Sequence, residues 1–171
     1  MSTLRRGAGL KRTPLARRSP LRARSRSPRV KAMTVRRRVD TGPSAHTKEL
    51  LWYRAGGCCE VCGMSIAAAI TRGIGFARHH RRPRGAGGSR ATWINDLSNL
   101  LLVCGADNAR GCHGRIELHR TESYANGWLV RAGQRPVEVP VYVARFPVAA
   151  TVRDMQLVLL TDEGTYVEAP R

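Results

Sequence analysis

CGADNARGCHGRIE, residues 104–117, decides how this chain is read. Cys104 and Cys112 stand eight positions apart, with Gly105 and Gly111 just inside them. His113 follows the second cysteine directly, and Glu117 lies one helical turn further on. A second close pair, Cys59 and Cys62, stands in GGCCEVCG (56–63), a tight turn that lets two thiolates face one ion. Two such pairs about forty residues apart predict a closed four-cysteine knuckle for structural Zn²⁺ from Cys59, Cys62, Cys104 and Cys112. The competing reading is two unrelated thiol pairs in a reduced core. Cys58 is the odd cysteine, and its expected role is packing.

Charge sets the partner class. The 171 residues carry a net +18, unevenly spread. Residues 1–40 hold fourteen Lys/Arg against one acid, while the rest holds sixteen against eleven. Three lysines aside, all the positive charge is arginine, whose planar fork suits phosphate; a GC-rich genome would produce the same bias. Such an arm suits a polyanion through counterion release. TPLARRSPLRARSRSPR repeats a Pro-Leu-x-x-Arg theme whose prolines prevent regular structure, so residues 1–43 are expected to be a disordered DNA-binding arm. Its Arg/Ser composition also fits a transit peptide, but the prolines break any amphipathic helix. No apolar run nears the roughly 20 residues that span a bilayer. With an odd cysteine count and no opening hydrophobic segment, the expected compartment is a reducing cytoplasm, with no membrane partner.

Local patterns predict an α+β chain. Residues 44–55 read as a helix capped by Ser44, with Leu50, Leu51, Tyr53 and Arg54 on an apolar face with a basic end. Residues 64–72 fit a helix turn or a strand. Residues 76–82 read as a strand entering a loop, 95–103 as a turn and then a buried strand or helix start, and 113–126 as one helix ended by Gly127. GWLVRAG, EVPVYVARF, LVLLTDEG and TYVEAP then read as short strands, a β extension over 131–171.

The histidines carry the chemistry. FARHHRRPRG (76–85) holds His79 and His80; Asn99 in LSNLLLVCG follows nineteen residues after His80, and His113 in CHGRIELHR fourteen after that. This constellation, with GGSR and YANGWLV around it, resembles the HNH nucleases, in the small zinc-containing form encoded by bacteriophages. The match spans residues 52–130. Phosphodiester hydrolysis wants a base that titrates near neutral pH, which histidine supplies, and a cation on the scissile phosphate.

The resemblance implies a small ββα-metal (His-Me finger) core at 44–130 and a set of roles. His80 is the general base and Asn99 orients it. His79, where the family often has an acid, and His113 bind the catalytic ion. Glu117 is a third ligand or a hydrogen-bond partner of the site, and His119 is a lesser candidate. Adjacent strand residues point to opposite sides, so His79 and His80 share one site only across an irregular backbone. The histidine pair and the widened seven-residue gap between the last two cysteines depart from the commoner family form. A nitrogen-rich site brings Mn²⁺, Ni²⁺ or Zn²⁺ into play beside Mg²⁺. Asp107 and Arg110 in the widened loop are expected to be solvated, and His46 to lie on the surface.

Arg81, Arg82, Arg84 and Arg90 on a glycine-rich loop read as phosphate contacts, or as an ordinary basic loop. Trp52, Trp93 and Trp128 read as packing rather than base stacking. The leading expectation is a metal-dependent DNA endonuclease, a nicking monomer or a double-strand-cutting homodimer, associated by resemblance with phage terminase and genome packaging. A non-catalytic zinc-finger DNA-binding protein and an RNA- or nucleoid-binding basic protein are the alternatives.

Overall fold

A computed structural model describes residues 42–85, 89–144 and 155–170. The expected arm therefore lies outside the described residues except for its last two. Among the described residues the chain is α+β, with four α-helices and two antiparallel sheets. No helix there is long and apolar enough to cross a membrane.

Helix α1 (Ala45–Ala55) starts where Ser44 Oγ accepts from the Thr47 N–H at 3.0 Å, and ends at Gly56 in the left-handed region. It buries Leu51 and Ala55, whereas Tyr53 is 70% exposed. Arg54 turns inward. Its Nε and Nη2 donate to the two Glu60 carboxylate oxygens, each at 2.9 Å, and its guanidinium also reaches the Leu97 and Leu100 carbonyls. Glu60 accepts from the Leu102 N–H and the Tyr166 hydroxyl, each at 2.7 Å. Both ion-pair side chains are 1% exposed, so this network is dry, and it ties the cysteine turn to both sheets.

The undecided segment after that turn is helix α2 (Ile66–Thr71), capped by Ser65. Strand β1 (Phe76–His80) pairs antiparallel with β2 (Leu100–Cys104), setting His79 opposite Leu101 and His80 opposite Leu100. All of β2 is buried. Helix α3 (Gly111–Leu118) packs on both strands.

Two expectations are corrected here. The single helix over 113–126 is two, because the chain breaks at His119 (φ −111, ψ 61) before α4 (Arg120–Ala125). The Ser123 hydroxyl bridges the break by donating to the Ile116 and His119 carbonyls. GWLVRAG is not a strand: Leu129 and Val130 are held by single backbone bonds, to the Ser123 and Arg81 carbonyls. Gly127 has the expected positive φ of 70° and a second reason to be glycine, since a Cβ there would sit 2.0 Å from the Pro140 carbonyl oxygen.

Strands β3 (Val141–Ala144), β4 (Met155–Leu160) and β5 (Tyr166–Glu168) form the second antiparallel sheet, β4 in the middle. Val141, Val143, Val158 and Leu160 face inward and join one core with Leu51, Leu100–Val103 and Ile116. The expected C-terminal extension therefore supplies core. The remainder of EVPVYVARF beyond Ala144 lies outside the described residues.

Candidate metal centre

Each cysteine of the predicted cluster is placed by a different device. Cys59 and Cys62 ride the turn after α1, where the Gly63 N–H donates to the Cys59 carbonyl at 2.8 Å. Cys104 ends β2, and Cys112 lies in the first turn of α3. The loop between them is closely packed: a Cβ on Gly105 would lie 2.1 Å from the Arg110 carbonyl oxygen, at a φ of +105°. Asp107 and Arg110 are exposed but not merely solvated, since they pair at 2.6 Å and Arg110 also donates to the Gly73 carbonyl.

The four thiol sulfurs lie within 4.8 Å of one another and could hold a metal ion. The Cys62 and Cys104 sulfurs are 3.8 Å apart. That is far beyond a disulfide bond and equals the edge of a sulfur tetrahedron about 2.3 Å from a central Zn²⁺. The Cys112 N–H donates to Cys104 Sγ at 3.3 Å, the bond a thiolate wants. Hydrogen bonds with Cys112, Cys59 and Cys62 pull Cys104 far below the usual thiol range, and the contact with Cys104 pushes Cys112 far above it. Four sulfurs this close can all be thiolates only around a cation. The set fits structural zinc. Cys58 is buried beside it, bridged to Ser65 and outside the cluster.

A second cluster begins at the next residue of α3 and runs one turn along it. His79, His113 and Glu117 bring their ligand atoms within 4.8 Å of one another. The two imidazoles meet edge to face, centroids 5.5 Å apart. His79 is buried, and its Nε2–H donates to the Trp128 carbonyl at 3.2 Å, which leaves the Nδ1 lone pair for a ligand role. His113 Nδ1 is buried with no hydrogen-bond partner, an orphan that a cation would satisfy. Glu117 follows on the same helical face, one carboxylate oxygen 3.1 Å from Arg120. Two imidazole nitrogens and a carboxylate suit a divalent transition ion and leave coordination positions open. His119 is exposed and outside the cluster; His46 is exposed.

Burial, then the neighbouring His113, pushes the His79 pKa down to about 3. The folded value lies below the unfolded one, so the unfolded chain takes up the proton first. Stability from this group is whole above about pH 6.5 and drains as pH falls toward 3. Protein that keeps its zinc but has no ion at the histidine cluster should therefore lose up to a few kcal/mol across that window, and His79→Gln should flatten the slope, as read by urea melts at stepped pH.

His80 is half-buried, and burial holds its pKa below the usual imidazole value while its bond to Asn95 opposes this. Its Nε2 lies 3.0 Å from Asn95 Oδ1. The expected partner, Asn99, makes no hydrogen bond to the imidazole. Asn99 is fully buried; its Oδ1 accepts from the Arg82 N–H at 2.7 Å and its Nδ2 donates to the Ile94 carbonyl at 2.8 Å. It pins the backbone just past His80, while Asn95, from a 3-10 turn over Thr92–Asn95, holds the ring.

No family model, curated protein or solved structure matches this chain.

Of the four arginines expected on phosphate, Arg81 is overturned. It is fully buried and donates to the carbonyls of Gly127, Ser98, Pro136 and Val139 at 2.6–3.0 Å, with Pro140 at 3.5 Å. Burial drives its pKa down to about 9. It is a structural clasp between β1 and the lead-in to β3. Arg81→Met should strand these carbonyls and cost about 3–5 kcal/mol in denaturant melts, far more than an exposed arginine. Arg90 is exposed, and Arg82 and Arg84 are half-buried, on the loop after β1. Trp128 is buried and donates to the Tyr142 carbonyl, as packing predicts, but Trp52 is 40% exposed.

The residues missed from sequence are Asn95, Glu60 and Tyr166. Glu60 was open to detection, because an acid inside a buried cysteine turn needs a cation.

Proposed function

We propose that the chain is a metal-dependent DNA endonuclease of the HNH type, its β1–β2–α3 unit being a ββα-metal core stapled by zinc. The observation that carries this reading is the cluster of His79, His113 and Glu117, on one hairpin and the helix packed against it, with His80 the next residue, at the end of β1. A structural role alone gives no reason for a third-ligand carboxylate and a buried unpartnered imidazole nitrogen next to a separately held histidine.

A divalent ion at this cluster would supply positive charge to the scissile phosphate and its leaving oxygen. The chain supplies the rest. Asn95 Oδ1 accepts a hydrogen bond from His80 Nε2–H, so Nδ1 keeps its lone pair and takes the proton of the attacking water. Asn99 fixes the strand end that carries His80. The Trp128 carbonyl fixes the His79 tautomer. Arg82, Arg84 and Arg90 flank the site as phosphate contacts, and the arginine-rich arm adds sequence-independent DNA affinity. A phage setting, with a terminase as partner, rests on the resemblance alone.

Metal stoichiometry tests the reading at its base. Zinc-loaded protein titrated with Mn²⁺ should bind one further ion, and His113→Ala should lose that ion while keeping its zinc. A chain that takes up no second ion contradicts the proposal and favours a zinc-stapled DNA-binding module.

A further inference from the structure

Strand β1 alternates its faces. Ala77 and His79 turn one way, and Phe76, Arg78 and His80 turn the other. Arg78 therefore stands one pleat from His80 on the same face, about 6.7 Å along the strand. It is exposed, with its guanidinium 5.5 Å above the Phe76 ring. Phe76 in turn meets Trp52 edge to face at 6.1 Å, and Trp52 packs over Gly57.

Three other exposed guanidiniums are occupied by acids, whereas Arg72 meets only the Met64 sulfur and Arg131 the Tyr124 ring. Arg110 pairs with Asp107, Arg115 with Glu122, and Arg120 with Glu117. Among the described residues no acid pairs with Arg78. A guanidinium seated on a ring has already lost part of its rotamer freedom, and it still presents N–H donors in a planar fork to solvent. A phosphodiester oxygen pair is the anion that fork fits.

We propose that Arg78 grips the DNA phosphate flanking the scissile one, from its seat on Phe76, and so sets the strand's position over His80. This rests on the nuclease reading for the word scissile, but the phosphate contact itself does not need cleavage. Arg78 is a positioning residue.

The test uses the full chain carrying His80→Ala, so that DNA stays intact, and measures duplex oligonucleotide affinity against NaCl concentration. Arg78→Ala should weaken binding about three- to tenfold and make the log–log salt slope shallower by about one. Arg78→Lys should keep the slope. In the His80 protein, Arg78→Ala should raise KM several-fold at unchanged kcat. Arg72→Ala, an exposed arginine at the end of α2, is the charge-matched control and should alter neither the slope nor KM. An unchanged slope in Arg78→Ala, or an equal drop in Arg72→Ala, overturns the proposal. A slope lost with Arg78 in a chain that never cleaves DNA keeps the phosphate grip and sinks the nuclease reading instead.

Discussion

Serine at Cys104 should leave a chain that neither holds zinc nor melts cooperatively. Cys104 is where the cluster's interactions converge: it takes the Cys112 N–H, faces the Cys62 sulfur at 3.8 Å and ends the buried strand β2. A structural zinc site in a small domain supplies about 10–16 kcal/mol at neutral pH, comparable to or larger than a domain's whole stability. A hydroxyl in place of one thiolate forfeits most of it. The loss should spread, because the cysteine turn also carries Glu60, whose carboxylate joins Arg54, Tyr166 and the Leu102 amide. Zinc content by atomic absorption and a melt followed by circular dichroism check this. Cys58→Ser, one residue from the cluster but outside it, should keep its zinc and its cooperative transition.

The second large effect falls on chemistry. His80→Ala should lower DNA cleavage by about 10²–10⁴-fold while zinc content, Mn²⁺ binding and DNA affinity stay near wild type. His80 is half-buried and its ring is held by Asn95, so its removal leaves the core intact. Asn95→Ala should give a smaller loss, since the base remains but its tautomer and ring orientation are no longer held. Asn99→Ala should behave differently again. That amide satisfies the Arg82 N–H and the Ile94 carbonyl in a fully buried place, so its loss should lower stability as well as rate.

What could be read without coordinates was local. The Cys59–Cys62 and Cys104–Cys112 pairs declare themselves because metal chemistry constrains residue type and short spacing together. Ser44 and Gly56 mark the ends of α1 for equally local reasons. His113 and Glu117 follow from helical geometry once Cys112 starts the helix.

What could not be read depends on distant chain. Asn95 and Asn99 lie four residues apart, and only the path of the two 3-10 turns between 92 and 99 decides which amide meets the His80 ring. Arg81 sits in a run of arginines that looks like one basic loop. Strand alternation from buried His79 held the clue, since Arg81 continues the inward face, but its carbonyl partners arrive from Ser98 and residues 127–140. The break at His119 has neither glycine nor proline to announce it. GWLV is apolar because it is buried, and burial without a strand partner looks like a strand in sequence.

Supercoiled plasmid is the substrate that tests the central claim most directly. Purified zinc-loaded protein, supplied separately with Mg²⁺, Mn²⁺ or Ni²⁺ and run beside His113→Ala and a chelator control, should convert it to nicked or linear product. Conversion should require added metal and vanish in the variant. Plasmid retarded but uncut under every metal, with the variant behaving identically, would contradict the account and leave a zinc-stapled DNA-binding protein in its place.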